Sequence, residues 1–261
     1  MTKPHRCIAI RFLTLAALIP VSAAGVPAWA QLPTFSRNVI VLDPAHGGTD
    51  TGARIADTLP EKQFTLSFVA RLKPMLTAAG FTVVVTRDAD PTEVVSNDQR
   101  AGTANHVRAL ACLLVHATPS GSGVHLFTSS LPADIASPDA PLSWDSAQSA
   151  YVPLSLRLAN ELGVSLLHAN IPPLLGTAST RPIDNLTCPA VALELAPLLN
   201  ANADPTPISN EGYQQRAAKA ITDALISWRN HAAPPAARPT VPKATPAPTA
   251  ETPAVVPGGT R

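Results

Sequence analysis

The chain has 261 residues and a formal net charge of +1 at pH 7, a size that fits one domain with extensions. Without its first thirty residues it loses Lys3, Arg6 and Arg11, and the charge becomes −2. A protein so close to neutral offers no electrostatic case for a nucleic-acid partner.

Residues 1–30 read as a secretory signal peptide. The three basic residues precede an apolar stretch, Phe12–Ala24, and Ala28-Trp29-Ala30 has the small-x-small form of a cleavage site. Pro20 breaks the stretch, which is short for a membrane span, and an anchor that stays uncleaved is left open beside the cleaved signal. The mature chain is therefore expected outside the cytoplasm, in the periplasm or cell envelope, without a span and as a monomer. Cys7 leaves with the signal. Cys112 and Cys188 remain, and two readings stay open for them: a disulfide, as export permits, or two buried free thiols.

The mature region, 31–232, alternates strand-like runs with helical patterns. Asn38–Leu42 (NVIVL) is a continuous apolar run, as a strand covered on both faces should be. Over Glu61–Ala79 the residues Phe64, Phe68, Leu72 and Leu76 recur every four, with Val69 widening the stripe, which predicts a helix. Gly80 closes it, and Pro74 predicts a kink within it. Phe81–Thr86 is the next strand, Asn97–Arg108 a helix, Leu110–Val115 a strand and Val124–Phe127 a short strand. The stretch 131–150 has three prolines and no clear period. It is expected to be a surface insertion, placed to border a site. Leu154–His168 is helical, Pro189–Leu195 (PAVALEL) a strand and Glu211–Trp228 the last helix. Residues 233–261, with eight prolines among alanine and threonine, cannot bury enough apolar surface to fold and are expected as a disordered tail. The alternation predicts a single α/β domain with a mostly parallel twisted sheet flanked by helices.

In such a domain, ligands bind outside the carboxyl ends of the strands. His46 follows the first strand, His116 follows LACLLV, Glu194 lies near the end of PAVALEL, and Glu61 starts a helix on the same rim. Two imidazoles and a carboxylate are the ligand set of a hydrolytic zinc site, with a fourth position open. Glu194 is then the carboxylate left to move a proton. Each residue also has a plainer reading. His46 fits an ordinary loop and His116 a strand rim. Glu61 fits a capping box, Thr58-Leu59-Pro60-Glu61. Glu194 is harder to explain away, because a carboxylate in an apolar strand must be paired or functional. His106, His125 and His168 read as structural or exposed.

These blocks resemble the zinc-dependent N-acetylmuramoyl-L-alanine amidases, the peptidoglycan amidases of bacterial cell walls. The likeness runs from about Val39 to Ile226. It is carried by VLDPAHGGTDTGA followed by Glu61-Lys62, by Gly80 with FTVVVTRDAD, by Arg100 and Ala104-Asn105, by LLVHAT, by PAVALEL, and more loosely by Asn200 and Tyr213. The resemblance implies that His46, Glu61 and His116 hold zinc. It implies that Glu194 is the general base and then the acid, and that the reaction is hydrolysis of the amide between the lactyl group of muramic acid and the first alanine of the stem peptide. Peptidoglycan is the implied partner, and an activating protein partner is left open. Two departures stand out. Ala45 replaces the glycine of the family's Pro-Gly-His-Gly-Gly, which carries strain if that backbone needs positive φ. Leu114-Val115-His116-Ala117-Thr118 replaces Ser-Ile-His-Ala-Asn and removes two polar side chains near the metal. They motivate a second reading, an amidase-like domain that binds cell wall or regulates a partner without catalysis.

Overall fold

The computed structural model describes residues 36–56, 59–133, 143–200 and 203–231. The expected signal, the tail and Thr58 lie outside the described residues. Strand β1 (Ser36–Pro44) carries the NVIVL run. Ile40 and Leu42 face one layer of the core and Val41 the other, which is why no polar residue interrupts the run. A small hairpin, β2 (Arg54–Ala56) with β3 (Leu59–Pro60), leads into α1 (Glu61–Ala78). Pro60 occupies the N-cap of α1 and makes no side-chain cap, so Glu61 is not part of a capping box. The Phe64, Phe68, Leu72, Leu76 stripe is buried, each side chain contributing roughly 1.5–3 kcal/mol. The helix continues through Pro74.

Next come β4 (Thr82–Val85), α2 (Asn97–His106), β5 (Ala109–Ala117), β6 (Val124–Ser129), α3 (Val152–His168) and β7 (Pro173–Ala178). The chain closes with β8 (Ala190–Leu195), a hairpin of β9 (Leu198–Asn200) and β10 (Ala203–Thr206), and α4 (Glu211–His231). Helix α2 does have a capping box, in which Ser96 and Gln99 bond reciprocally. Six strands form one sheet in the order β4-β1-β5-β8-β6-β7. All neighbours are parallel except β6 and β8. The result is the expected α/β domain with a mostly parallel sheet.

One face of the sheet packs against α1, α3 and α4 in the larger core cluster. The other carries a smaller cluster of Val41, Cys112, Leu114 and Ala190 under Ala101 and Ala104 of α2 and the segment Ile183–Cys188. Cys112 and Cys188 are joined by a disulfide inside this second cluster, 76 residues apart in sequence, which decides between the two readings left open above. The described part of the expected surface insertion is anchored rather than free. Trp144–Ala150 forms two short 3-10 turns joined at a kink at Ser146, and the buried Gln148 donates from Nε2 to the carbonyls of Leu186 and Cys188. Residues 134–142 of that stretch lie outside the described residues. Among the described residues no helix is long and apolar enough to cross a membrane.

Candidate active site

The loop after β1 is held from below by two buried arginines. Arg100 donates from Nη1 to Asp43 Oδ1 at 2.5 Å and to the Pro44 carbonyl at 2.9 Å, and from Nη2 to the His46 carbonyl at 2.6 Å. Arg87 donates from Nε to the Pro44 carbonyl and from Nη2 to the carbonyls of Ala45 and Lys62. Burial, with the Arg100 charge nearby, lowers the Arg87 pKa. Further out, Lys62 Nζ bonds the Gly48 carbonyl and Asp90 Oδ2, while the Gly48 N–H bonds Asp90 Oδ1.

This bracing explains an unusual backbone. His46 itself sits at φ 62, in the left-handed region, where a non-glycine residue is uncommon. Ala45 is not among the positive-φ residues, so the expectation of strain at the Gly-to-Ala change is corrected: the strained position is the histidine. The turn throws the His46 ring over the start of α1. His46 Nε2 lies 3.1 Å from Glu61 Oε2, and His116 Nδ1 lies 3.0 Å from Glu61 Oε1. One donor atom from each of the three residues falls within 4.8 Å of the others. The two rings meet edge to face at 5.5 Å.

Partners outside this cluster fix Glu61 and His46. The backbone N–H groups of Ala53 and Ala117 donate to Glu61. Burial pushes the Glu61 carboxyl up, but the bonds to His116, His46 and these two amides hold it well below the usual carboxylate range. The hydrogen bond to Glu61 raises the His46 pKa against the effect of burial. The remaining nitrogen of His46, Nδ1, bonds Asp50 Oδ2 at 2.9 Å. Although burial opposes it, that bond helps to lower the Asp50 pKa. Gly52, at φ 63, lets the loop pass close by. A Cβ there would lie 2.6 Å from His46 Cδ2 and 2.8 Å from Glu61 Oε2.

This donor set fits zinc. Two imidazole nitrogens and a carboxylate at zinc–ligand distances near 2.0–2.1 Å stand roughly 3.3 Å apart in a tetrahedron, close to the nitrogen–oxygen spacing here. A carboxylate backing the far nitrogen of a ligand histidine is the usual support for such a metal. Asp50 was not singled out from the sequence. Its step of four residues after His46 in a Gly-Gly turn looks like turn chemistry.

Glu194 stands beside this cluster. The register pairs His116 of β5 with Glu194 of β8, and Glu194 with His125 of β6. The three side chains thus form one row on the α2 face of the sheet, beyond the part that α2 covers. His125 Nδ1 is 2.7 Å from Glu194 Oε2. The sequence reading of His125 as a structural or exposed residue therefore misses its neighbour, whereas His106 and His168 are exposed as expected. Thr118 accepts from the Ser120 N–H in the turn after β5. Leu114 is buried in the smaller core cluster. Asn200 bonds within its own hairpin. Tyr213 is fully buried, which pushes its pKa up. Its hydroxyl lies 2.8 Å from the Gly123 carbonyl and 2.9 Å from the Ala196 carbonyl, clamping β6 to β8.

Known proteins resemble the chain in sequence and in fold. The chain is 46% identical over 54 residues to the N-acetylmuramoyl-L-alanine amidase AmiC of Neisseria meningitidis, a match covering 21% of this chain and 13% of that one. It is 40% identical over 84 residues to the N-acetylmuramoyl-L-alanine amidase CwlM of Bacillus licheniformis, covering 31% of this chain and 32% of that one. It thus spans less than a third of the length of either relative. Among solved structures, the N-acetylmuramyl-L-alanine amidase Ami1 of Mycobacterium smegmatis shares the fold, with a TM-score of 0.59 at 22% identity over 74% of this chain and 97% of that one. The family model for N-acetylmuramoyl-L-alanine amidases matches residues 40–227, most of the chain and all the elements that build the site, and the chain belongs to that family.

Proposed function

We propose that the chain is a zinc-dependent hydrolase of peptidoglycan that cleaves the amide between the lactyl group of N-acetylmuramic acid and the L-alanine of the stem peptide. The observation that carries this reading is the convergence of His46, Glu61 and His116 within 4.8 Å, with Glu194 on the adjacent strand.

In this reading His46 Nε2, His116 Nδ1 and Glu61 hold the zinc. When bound, the metal supplies a Lewis acid for the carbonyl oxygen and makes water nucleophilic near neutral pH. Glu194 is the base. It takes a proton from the attacking water and returns it to the alanine nitrogen as the C–N bond breaks. The products are a lactyl carboxylate on the sugar and a peptide with a free alanine amine. Asp50 keeps the proton of His46 on Nδ1 and leaves Nε2 free to ligate. The reading also supports export. The substrate lies outside the cytoplasm, and the Cys112–Cys188 bond is of a kind that persists in oxidising compartments.

The test is incubation of the full-length protein with purified peptidoglycan, with and without zinc, and mass spectrometry of the soluble products. Peptides beginning with free alanine are expected from the wild type and not from Glu194→Ala, which should still bind zinc. A zinc-loaded wild type that releases none would refute the activity. Retention on the insoluble wall without release would favour a binding role instead.

A further inference from the structure

The amidase reading gives Glu194 the proton transfers and leaves unexplained what fixes its side chain. Glu194 sits on a strand with its side chain 32% exposed, so nothing in its burial selects one rotamer. Among the described residues its hydrogen-bond partner is His125, directly across the antiparallel β6–β8 pair, at 2.7 Å. An ionised carboxylate only accepts, so His125 Nδ1 carries the proton in this bond.

The imidazole is itself confined. Its side chain is 12% exposed. On its far edge lies the turn at Gly121, where φ is 89 and a Cβ would fall 2.6 Å from His125 Cε1 and 2.7 Å from Nε2. Phe127 meets the ring nearly at right angles, with centroids 6.3 Å apart. The Tyr213 hydroxyl bridges the carbonyls of Gly123 and Ala196, each two residues from a member of the pair. Backbone, ring and strand spacing are therefore set around one bond.

We propose, on the basis of the amidase reading, that His125 is a positioning residue for the general base: its Nδ1–H holds Glu194 Oε2, so that Oε1 faces the reacting water and the His116 side of the row. The reaction requires one carboxylate oxygen to accept a proton and release it to the alanine nitrogen. Tying the other oxygen to a fixed donor restricts the rotation that would take the base out of reach. His125 touches neither substrate nor metal in this assignment, and it acts through Glu194 alone.

The test uses the full chain and three readouts. His125→Ala should lower kcat on peptidoglycan by roughly 10- to 100-fold, a loss typical of removing a residue that orients a catalytic group, with KM and zinc content unchanged. His125→Asn, whose Nδ2 can occupy the place of Nδ1, should recover most of that loss. In 15N-histidine NMR of the chain as purified, His125 should show the fixed Nδ1–H tautomer, and Glu194→Ala should abolish that signature. An unchanged kcat in a folded, zinc-replete His125→Ala would overturn the proposal, as would an Asn variant no better than Ala. If the wild type releases no stem peptide, it is the amidase reading that fails. The NMR then judges the pairing alone: a tautomer indifferent to Glu194→Ala overturns it, and its loss supports it.

Discussion

Replacing Arg100 with methionine tests how the His46 loop is held. Methionine keeps much of the arginine stem's volume and removes the charge and all five donors. Arg100 and Asp43 are only 4% and 5% exposed, so the variant leaves a buried carboxylate without its cation. Breaking such a pair by removing one partner costs about 3–5 kcal/mol, within a total stability of about 5–15 kcal/mol for a domain. The chain should therefore still fold, with a urea midpoint clearly lowered in the presence of a chelator. The carbonyls of Pro44 and His46 lose charged donors as well, and the left-handed backbone of His46, costing roughly 1–3 kcal/mol, is free to relax. Zinc affinity should then fall by roughly 10- to 100-fold, measured by competition with a chelating dye. The double variant Asp43→Asn/Arg100→Met should regain part of the lost stability, because the unpaired charge is gone, without regaining zinc affinity. A single variant destabilised by less than about 1 kcal/mol, or a double variant no more stable than the single, would refute this account of the loop.

Three further outcomes follow from the geometry. Gly52→Ala places a methyl against both His46 and Glu61 and should weaken zinc binding while leaving the circular dichroism spectrum unchanged; unaltered affinity would mean the loop moves freely. Reducing the Cys112–Cys188 bond, which closes a 76-residue loop, or replacing Cys188 with serine, should lower stability by about 4.5 kcal/mol on the loop-entropy relation, read from urea unfolding with and without reductant. The metal-free protein should show a pH window. Glu61, depressed in the folded state, contributes stability above about pH 4.3 that is lost on acidification. His46, raised in the folded state, contributes stability below about pH 6.5 that is lost as pH rises through its folded value. The pair should thus stabilise most between those limits in chelator, and Glu61→Gln should flatten the profile.

Much of the fold could be read from local pattern. The stripe Phe64, Phe68, Leu72, Leu76 marks α1, and the runs NVIVL and LACLLV mark strands buried on both faces, because these features depend only on what each element must cover. Strand β7 was not legible: PLLGTA opens with proline, contains glycine and pairs on one side only, at the edge of the sheet, where such residues are tolerated. Of the candidate site, the strand ends put His46, Glu61, His116 and Glu194 on one rim, while the roles proposed for them came from the family resemblance, since spacing alone favoured a cap for Glu61. The capping-box alternative for Glu61 fell because the N-cap of α1 is Pro60, which puts Glu61 at the first helical position and not the third. His125 was hidden by topology. Its contact with Glu194 needs β8 to enter the sheet beside β6, and the separation of 69 positions in sequence gives no hint of that pairing.

That late entry of β8 has a consequence for the chain as it is made. β8 lies between β5 and β6 and pairs with both, so those two strands are joined into one sheet only when the segment Ala190–Leu195 is present. A polypeptide that stops short of it already carries His46, Glu61 and His116, yet has no Glu194 to accompany them and keeps two unpaired strand flanks. Such a fragment is prone to stick to its neighbours, and it lacks the assembled centre. The four side chains that converge on this rim therefore come together only in a polypeptide that reaches through its eighth strand.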